Sequence, residues 1–343
     1  MTTTHPGIAP ITGASTGTSF LSNTGRGLRA AALSLGLLAL ACGASADGVP
    51  APQADIGIVD IGDDFKLRRL VVRPPHPKGT VLLLHGFPET LYTWRDIALT
   101  LGRDYEVHAF DWPGYGLSSR PPVERFSYSP RDYAKVLKGY IDASGIDTSR
   151  LLIYGTDIGG LPALLLALER PDIASTIVVG DFAPLDRPQH MAPNLQGLKS
   201  APSSEAIRAH LNRSRDEIVE NAYRRGFAPE QQFDISPALK DDMRKGWDQP
   251  TMSTADAFYH YYSHFTRDQN FLEANLGRLK TPIKLVWGAN DFYIHPTMGT
   301  ELAERLKTGL KILSGIGHYP HLQDPAQTID EIRAVLGQRK DAP

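Results

Sequence analysis

Residues 155–160 read Gly155-Thr156-Asp157-Ile158-Gly159-Gly160. An apolar run at 151–154 precedes them and reads as a strand; residues 158–168 follow with the spacing of a buried helix. A strand, a turn of small residues and a helix form a nucleophile elbow, in which small–x–nucleophile–x–small–small sets the central side chain at a helix N-terminus. Small residues are needed because side chains at those positions would collide in so tight a turn. Here the central residue is Asp157. An aspartate on a glycine-rich turn is also an ordinary helix N-cap, so the surrounding chain has to choose between the two readings.

Outward from the elbow, strands and helices alternate. Short β patterns occupy 56–61 and 67–72, and Thr80–Leu84 is a continuous apolar run ending in His85-Gly86-Phe87-Pro88. Such a run suits a strand buried on both faces. Residues 91–101 have helical spacing, 105–110 form a strand, and Pro130–Ala143 is a helix with Ser129 as N-cap and Pro130 in its first turn. Another strand follows at 176–179. The alternation stops over 185–274, a mainly helical and aromatic-rich stretch without a clear strand. It resumes with a strand at 283–287, a helix at Thr297–Leu306, a strand at Leu310–Leu313 and a helix at 326–336. This pattern predicts an α/β fold with a mostly parallel central sheet flanked by helices. The core covers 47–184 and 275–343, and the helical segment 185–274 is inserted as a cap. Ligands in open α/β sheets bind at the C-terminal strand ends, which is where such a cap would sit.

The chain has 343 residues, of which 41% are hydrophobic and 22% charged, with formal net charge −2. That is ordinary globular composition, and it argues against a disordered chain or a nonspecific nucleic-acid binder. Residues 1–29 carry arginines but no acids; residues 30–41 (AAALSLGLLALA) are apolar, and Ala44-Ser45-Ala46 follows. This order predicts a signal peptide over 1–46 and an exported, periplasmic or secreted protein. The alternative is a lipoprotein anchored through Cys42, the single cysteine of the chain. The apolar run is too short for a membrane span. One cysteine gives no disulfide framework. No metal-ligand spacing and no cofactor motif is present, so neither a metal nor a cofactor is expected.

The segments HGFP (85–88), DWPGYGLSS (111–119), GTDIGG (155–160) and GIGHYPH (315–321) resemble the α/β-hydrolase superfamily. More narrowly, they resemble its aspartate-nucleophile branch of epoxide hydrolases and haloalkane or haloacetate dehalogenases. The resemblance implies Asp157 as nucleophile, His318 as base, and the Phe87 and Ile158 N–H groups as oxyanion hole. It leaves two candidates for the acid behind His318. Asp181 lies at the end of the next strand, where several dehalogenases carry it; Asp291 lies in the more general Gly288-x-x-Asp pattern. Tyr262, in Phe258-Tyr-His-Tyr-Tyr262, resembles the cap tyrosine that protonates an opening epoxide, with Tyr223 a second candidate. His85, Tyr223 and Tyr261 are expected to touch substrate, whereas His321 and the Asp111 turn read as structural.

A carboxylate can displace a leaving group at an sp³ carbon without a base to activate it, unlike serine. Water activated by His318 would then hydrolyse the resulting alkyl ester. The expected substrate is a small hydrophobic epoxide. The alternative on the same nucleophile is a halogenated compound, although Phe87 and Ile158 replace the usual halide-binding residues. A noncatalytic ligand-binding protein on the same fold is a third reading.

Overall fold

The computed structural model describes residues 51–337; the expected leader and Cys42 lie outside them. Eight strands form one sheet: β1 (Asp55–Asp60), β2 (Lys66–Val72), β3 (Thr80–Leu84), β4 (Glu106–Phe110), β5 (Leu151–Thr156), β6 (Thr176–Gly180), β7 (Ile283–Gly288) and β8 (Leu310–Leu313). Their spatial order is β1-β2-β4-β3-β5-β6-β7-β8. The β1–β2 and β2–β4 pairs are antiparallel and all others are parallel.

The helices, in chain order, are α1 (Arg95–Leu101), α2 (Pro130–Ala143), α3 (Gly160–Glu169), α4 (Pro193–Gly197), α5 (Ser203–Arg213), α6 (Arg215–Asn221), α7 (Pro237–Trp247), α8 (Thr254–Ser263), α9 (Phe265–Asn275), α10 (Thr297–Leu306), α11 (Pro320–Gln323) and α12 (Pro325–Gly337). Among the described residues, no helix is long and apolar enough to cross a membrane.

The central strands β3, β5 and β6 are buried along their whole length. Their alternate residues feed two cores. Leu82, Leu84, Ile153 and Val179 face one, packed by α2, α3 and α10. Val81, Leu83, Leu152, Tyr154 and Val178 face the other, packed by α1 and α12. This two-sided burial is why the strands read as unbroken apolar runs. Helix α3 (GLPALLLALE) is buried at every position from Gly160 to Leu168, as expected of a helix that is apolar all round.

Three details differ from the sequence expectation. Strand β5 runs on to Thr156, because Gly155 and Thr156 pair with Val179 and Gly180 of β6. Helix α3 begins at Gly160, since residues Asp157–Gly159 form a tighter 3₁₀ turn out of the elbow. The helix expected at 91–101 likewise opens with a 3₁₀ turn, Leu91–Trp94, capped by the Thr90 side chain.

Between β6 and β7 the chain forms α4–α9. It also contains a two-residue ladder, Asp248–Gln249 against Met252–Ser253, too short to leave a periodic signal in the sequence. Side chains tie this helical segment to the sheet. The Arg68 guanidinium holds Asp242 of α7 with two bonds, 2.8 and 2.7 Å, and Asp111 with a third at 2.5 Å. Arg120 donates to the carbonyls of Gly246 and Met252. Gln269 of α9 donates to the Ala183 and Leu185 carbonyls, both at 2.8 Å.

Candidate active site

Asp157 stands where β5 turns into α3, with φ +48°. A β-carbon there is held in the left-handed region, which costs energy and persists only where the surroundings impose it. The surroundings are tight. A side chain on Gly159 would meet Leu84 Cβ at 2.8 Å, and one on Gly86 would meet Asp157 Cβ at 2.6 Å. Glycine at these positions lets the His85-Gly86-Phe87 loop run directly beside Asp157. The Phe87 N–H consequently donates to Asp157 Oδ2 at 2.9 Å. Ile158 lies in the first turn after the elbow, where backbone N–H groups have no intrahelical acceptor. Asp157 Oδ1 accepts no hydrogen bond among the described residues.

His318 follows β8 and brings Nε2 to 3.7 Å from Asp157 Oδ2. Its Nδ1 lies 2.9 Å from both oxygens of Asp291, at the end of β7. The Tyr293 and Ile294 N–H groups donate to Asp291 Oδ1 at 2.8 and 3.0 Å, fixing the carboxylate in place. Burial works against the charged imidazole, but the Asp291 and Asp157 carboxylates outweigh it and hold His318 well above its ordinary range. Of the two candidate acids, Asp291 is therefore the one in contact with His318.

Asp181 ends β6 behind this pair. The Gly288 N–H donates to its Oδ1 at 2.8 Å, while its Oδ2 is buried without a partner. Although the sequence shows no ligand spacing, Asp181, Asp291 and His318 converge, each with one polar atom within 4.8 Å of the others. Two carboxylates at that separation would repel by more than ~3 kcal/mol at an effective dielectric of ~20. Burial and the Asp291 charge accordingly push Asp181 well above the usual carboxylate range.

A narrow cavity of about 40 Å³ opens over Asp157 and His318. That is room for about three waters on a scale of ~10–15 Å³ each. Phe87, Phe258, Tyr293 and Tyr319 wall it near the reacting groups, and Leu195, Leu198, Ile207, Leu211 and Ile218 of the helical segment close it above. Tyr262 is buried, and its hydroxyl has no hydrogen-bond partner among the described residues. The one charged group acting on it is Asp157, which together with burial raises it well above the ordinary phenol range.

Three expected substrate contacts are corrected. His85 is fully buried, its Nδ1 against the Gly86 carbonyl at 2.8 Å and its Nε2 accepting from the Trp112 N–H at 3.3 Å. The Tyr261 hydroxyl donates to the Ile158 carbonyl at 3.2 Å, pinning α8 to the elbow. The Tyr223 hydroxyl donates to Asp234 at 2.6 Å. In each case a polar tip was free to choose between cavity and scaffold, and a buried partner took it.

Glu89 was not expected. It follows HGFP directly, and that adjacency was the only signal available. Its Oε2 accepts the Gly86 N–H at 3.0 Å, while Oε1 meets His321 Nε2 at 2.6 Å and the Thr93 hydroxyl at 2.7 Å. The buried Glu89–His321 pair thus braces the loop that presents Phe87. Burial alone would raise the Glu89 carboxyl, but His321 and Thr93 bring it down to about 2. Its contribution to stability is therefore full above pH 4.5 and is lost as pH falls towards 2. His321→Ala would strand a buried carboxylate. It is expected to lower the unfolding free energy by about 3–5 kcal/mol at neutral pH, read by denaturant titration; a change below about 1 kcal/mol would refute the bracing role.

Comparison with known proteins agrees with this fold. A family model described as the alpha/beta hydrolase family matches residues 81–331. Human "Epoxide hydrolase 4" is 26% identical over 278 residues, covering 72% of this chain and 69% of that protein. A Burkholderia "Fluoroacetate dehalogenase" is 34% identical over 129 residues, 37% of this chain and 40% of that one. Among solved structures, the haloalkane dehalogenase DbeA from Bradyrhizobium elkani superposes with TM-score 0.67 at 19% identity, covering 85% of this chain and all (100%) of the other. With a sheet of this order, a strained elbow residue and a histidine–acid pair facing it, the chain belongs to the alpha/beta hydrolase family.

Proposed function

We propose that the protein is an epoxide hydrolase that works through a covalent ester on Asp157. The observation that carries this reading is Asp157 itself at the elbow, with His318 Nε2 at 3.7 Å and the Phe87 N–H at 2.9 Å from its Oδ2. Asp157 Oδ1, the oxygen not held by Phe87, attacks a ring carbon of the epoxide. The C–O bond breaks and Tyr262 supplies the proton to the departing oxygen. With Asp157 esterified, His318 gives up its proton, which restores the Tyr262 phenol through solvent; the neutral imidazole then takes a proton from water, and the resulting hydroxide attacks Asp157 Cγ. The Phe87 N–H stabilises the negative charge that develops on Oδ2. Collapse releases a diol and regenerates the carboxylate. The small volume of the cavity and its mostly aromatic and aliphatic lining favour a small, largely hydrophobic epoxide, with Asn194 and Arg225 as the polar groups on that lining away from Asp157 and His318.

A dehalogenase reading uses the same nucleophile. It is favoured by the similarity to the fluoroacetate dehalogenase and by Trp247, whose ring lies 5.6 Å from Phe87 and whose indole N–H is buried without an acceptor. The two readings differ in what they require of Tyr262. A halide leaves without a proton, whereas an epoxide oxygen needs one. Tyr262→Phe is therefore expected to slow epoxide opening by at least ~10²-fold and to change halide release far less. A panel of epoxides, haloalkanes and haloacids, assayed for diol and for halide, measures both. Epoxide turnover that survives Tyr262→Phe would refute the proton-donor role. Tight binding without turnover of any substrate would instead point to a ligand-binding protein.

A further inference from the structure

We propose that Asp181 is a protonated positioning acid, which donates a hydrogen bond through Oδ2 to Asp291 and so leaves a single negative charge behind His318. This rests on the reading of Asp157 and His318 given above. The geometry has three parts. The Gly288 N–H holds Asp181 Oδ1 at 2.8 Å, which fixes the orientation of the carboxyl. Oδ2 is buried with nothing donating to it, and one carboxylate oxygen of Asp181 lies within 4.8 Å of polar atoms of Asp291 and His318. Finally, among the described residues the groups acting on it offer no spare cation. Those facing Asp181 are Asp157 and Tyr154 from β5 and the turn after it, Asp291 after β7, and His318 after β8. His318 is the one cation among them, and Asp157 and Asp291 already share it.

An ionised Asp181 would therefore be a third carboxylate facing one imidazolium in a buried site. A proton on Oδ2 removes that excess and converts an orphaned acceptor into a donor aimed at Asp291. The other Asp291 partners are the Tyr293 and Ile294 N–H groups and His318 Nδ1. With the Asp181 O–H added, the carboxylate is held from every side in the plane His318 needs. The Asp181 main chain contributes separately. Its carbonyl accepts the Asp157 N–H at 3.2 Å, and its φ of +50° repeats the strained geometry of the elbow beside it.

Neutrality also matters for the second chemical step. Once Asp157 is esterified its charge is gone, and His318 faces Asp291 alone. A neutral Asp181 lets the imidazole lose its proton and act as base; a second buried anion would hold the imidazolium and stall hydrolysis of the ester.

The test compares Asp181→Asn, Asp181→Ala and Asp291→Asn in the full chain. The first readout needs no substrate. Wild type at neutral pH should show the infrared C=O band of a buried protonated carboxyl, and Asp181→Asn should remove it. The second readout is turnover. Asp181→Ala loses the bond that positions Asp291 and should cost kcat about 10²-fold. Asp181→Asn should rescue most of that, because its amide N–H replaces the donor while its oxygen keeps the Gly288 N–H. Asp291→Asn should fall about 10⁴-fold, since an amide there favours the wrong histidine tautomer. Stability gives a third readout. The folded protein retains a proton that the unfolded chain gives up near pH 4, so between about pH 4 and about pH 6 this group should lower stability as pH rises in wild type and not in Asp181→Asn, whereas the loss above that range from His318 is common to both.

Absence of the infrared band, or an Asp181→Asn enzyme as impaired as Asp291→Asn, would overturn the proposal in favour of an ionised relay acid. If Asp181→Ala does not fold, the band and the Asp181→Asn comparison still decide. If changes at Asp157 and His318 leave turnover intact, the functional reading fails, and the band alone then judges the protonation of Asp181.

Discussion

Asp157→Ala is expected to abolish epoxide turnover, with kcat falling by at least ~10⁴-fold, while the protein remains folded. The size follows from the role. A residue that forms the bond to substrate cannot be bypassed, and removing one member of a nucleophile–base pair typically costs as much as removing the whole set. The fold should survive because what holds the elbow is backbone and packing. The Asp157 N–H bond to the Asp181 carbonyl, the pairing of Thr156 with Gly180, and the buried α3 all remain. Alanine keeps the strained φ of +48°, so no stability is recovered at that position either. The measurement is steady-state turnover alongside the thermal melting curve. A folded Asp157→Ala protein retaining more than a few per cent of wild-type activity would rule out the covalent route. Asp157 should also carry the label of heavy-oxygen water after a single turnover, since water attacks the carboxyl carbon and not the substrate.

His318→Gln should separate the two steps. In the free protein the Asp291 and Asp157 carboxylates keep His318 protonated well above its ordinary range, against the effect of burial. Alkylation of Asp157 removes one of the two charges, so His318 becomes a competent base only after the ester exists. The first step does not need it as a base. Glutamine at 318 should therefore permit a burst of about one equivalent and then stall, with kcat reduced by ~10⁴-fold or more. Intact-protein mass spectrometry should find the adduct, and peptide mapping should place it on Asp157. In wild type, hydrolysis-limited turnover should fall on the acid side, where His318 of the ester form takes up a proton. No adduct in His318→Gln, or steady turnover by it, would contradict this order of events.

Much of this site was legible because its signals are local. An elbow needs small residues at fixed offsets within six positions, and Gly155, Gly159 and Gly160 occupy them. Strands buried on both faces need unbroken apolar runs, which Thr80–Leu84 and Leu151–Thr156 have. Ser129 with Pro130 marks a helix start by the same short-range logic, and the Ser129 hydroxyl does accept the Asp132 N–H. The misreadings fall where one side chain has two destinations. His85 and Tyr261 flank the reactive region closely enough to be taken for substrate contacts. Each instead spends its polar atoms on backbone groups of the scaffold, because leaving a buried polar group without a partner is costly. Glu89 went unread for the converse reason: an acid beside a turn looks solvated until a distant His321 is seen beneath it.

By itself, then, the sequence determined the class of fold and the positions of the elbow aspartate, the histidine and the loop facing them, since each is written within a few consecutive residues. Only the tertiary structure decided which acid contacts His318. Asp181 and Asp291 end neighbouring strands and point into one buried space, and spacing along the chain does not encode which of them comes within 2.9 Å of the imidazole. It likewise decided that the Tyr223 and Tyr261 hydroxyls are taken by Asp234 and the Ile158 carbonyl, while that of Tyr262 has no hydrogen-bond partner among the described residues. That choice depends on how α4–α9 pack against the strand ends, through contacts between residues far apart in the chain.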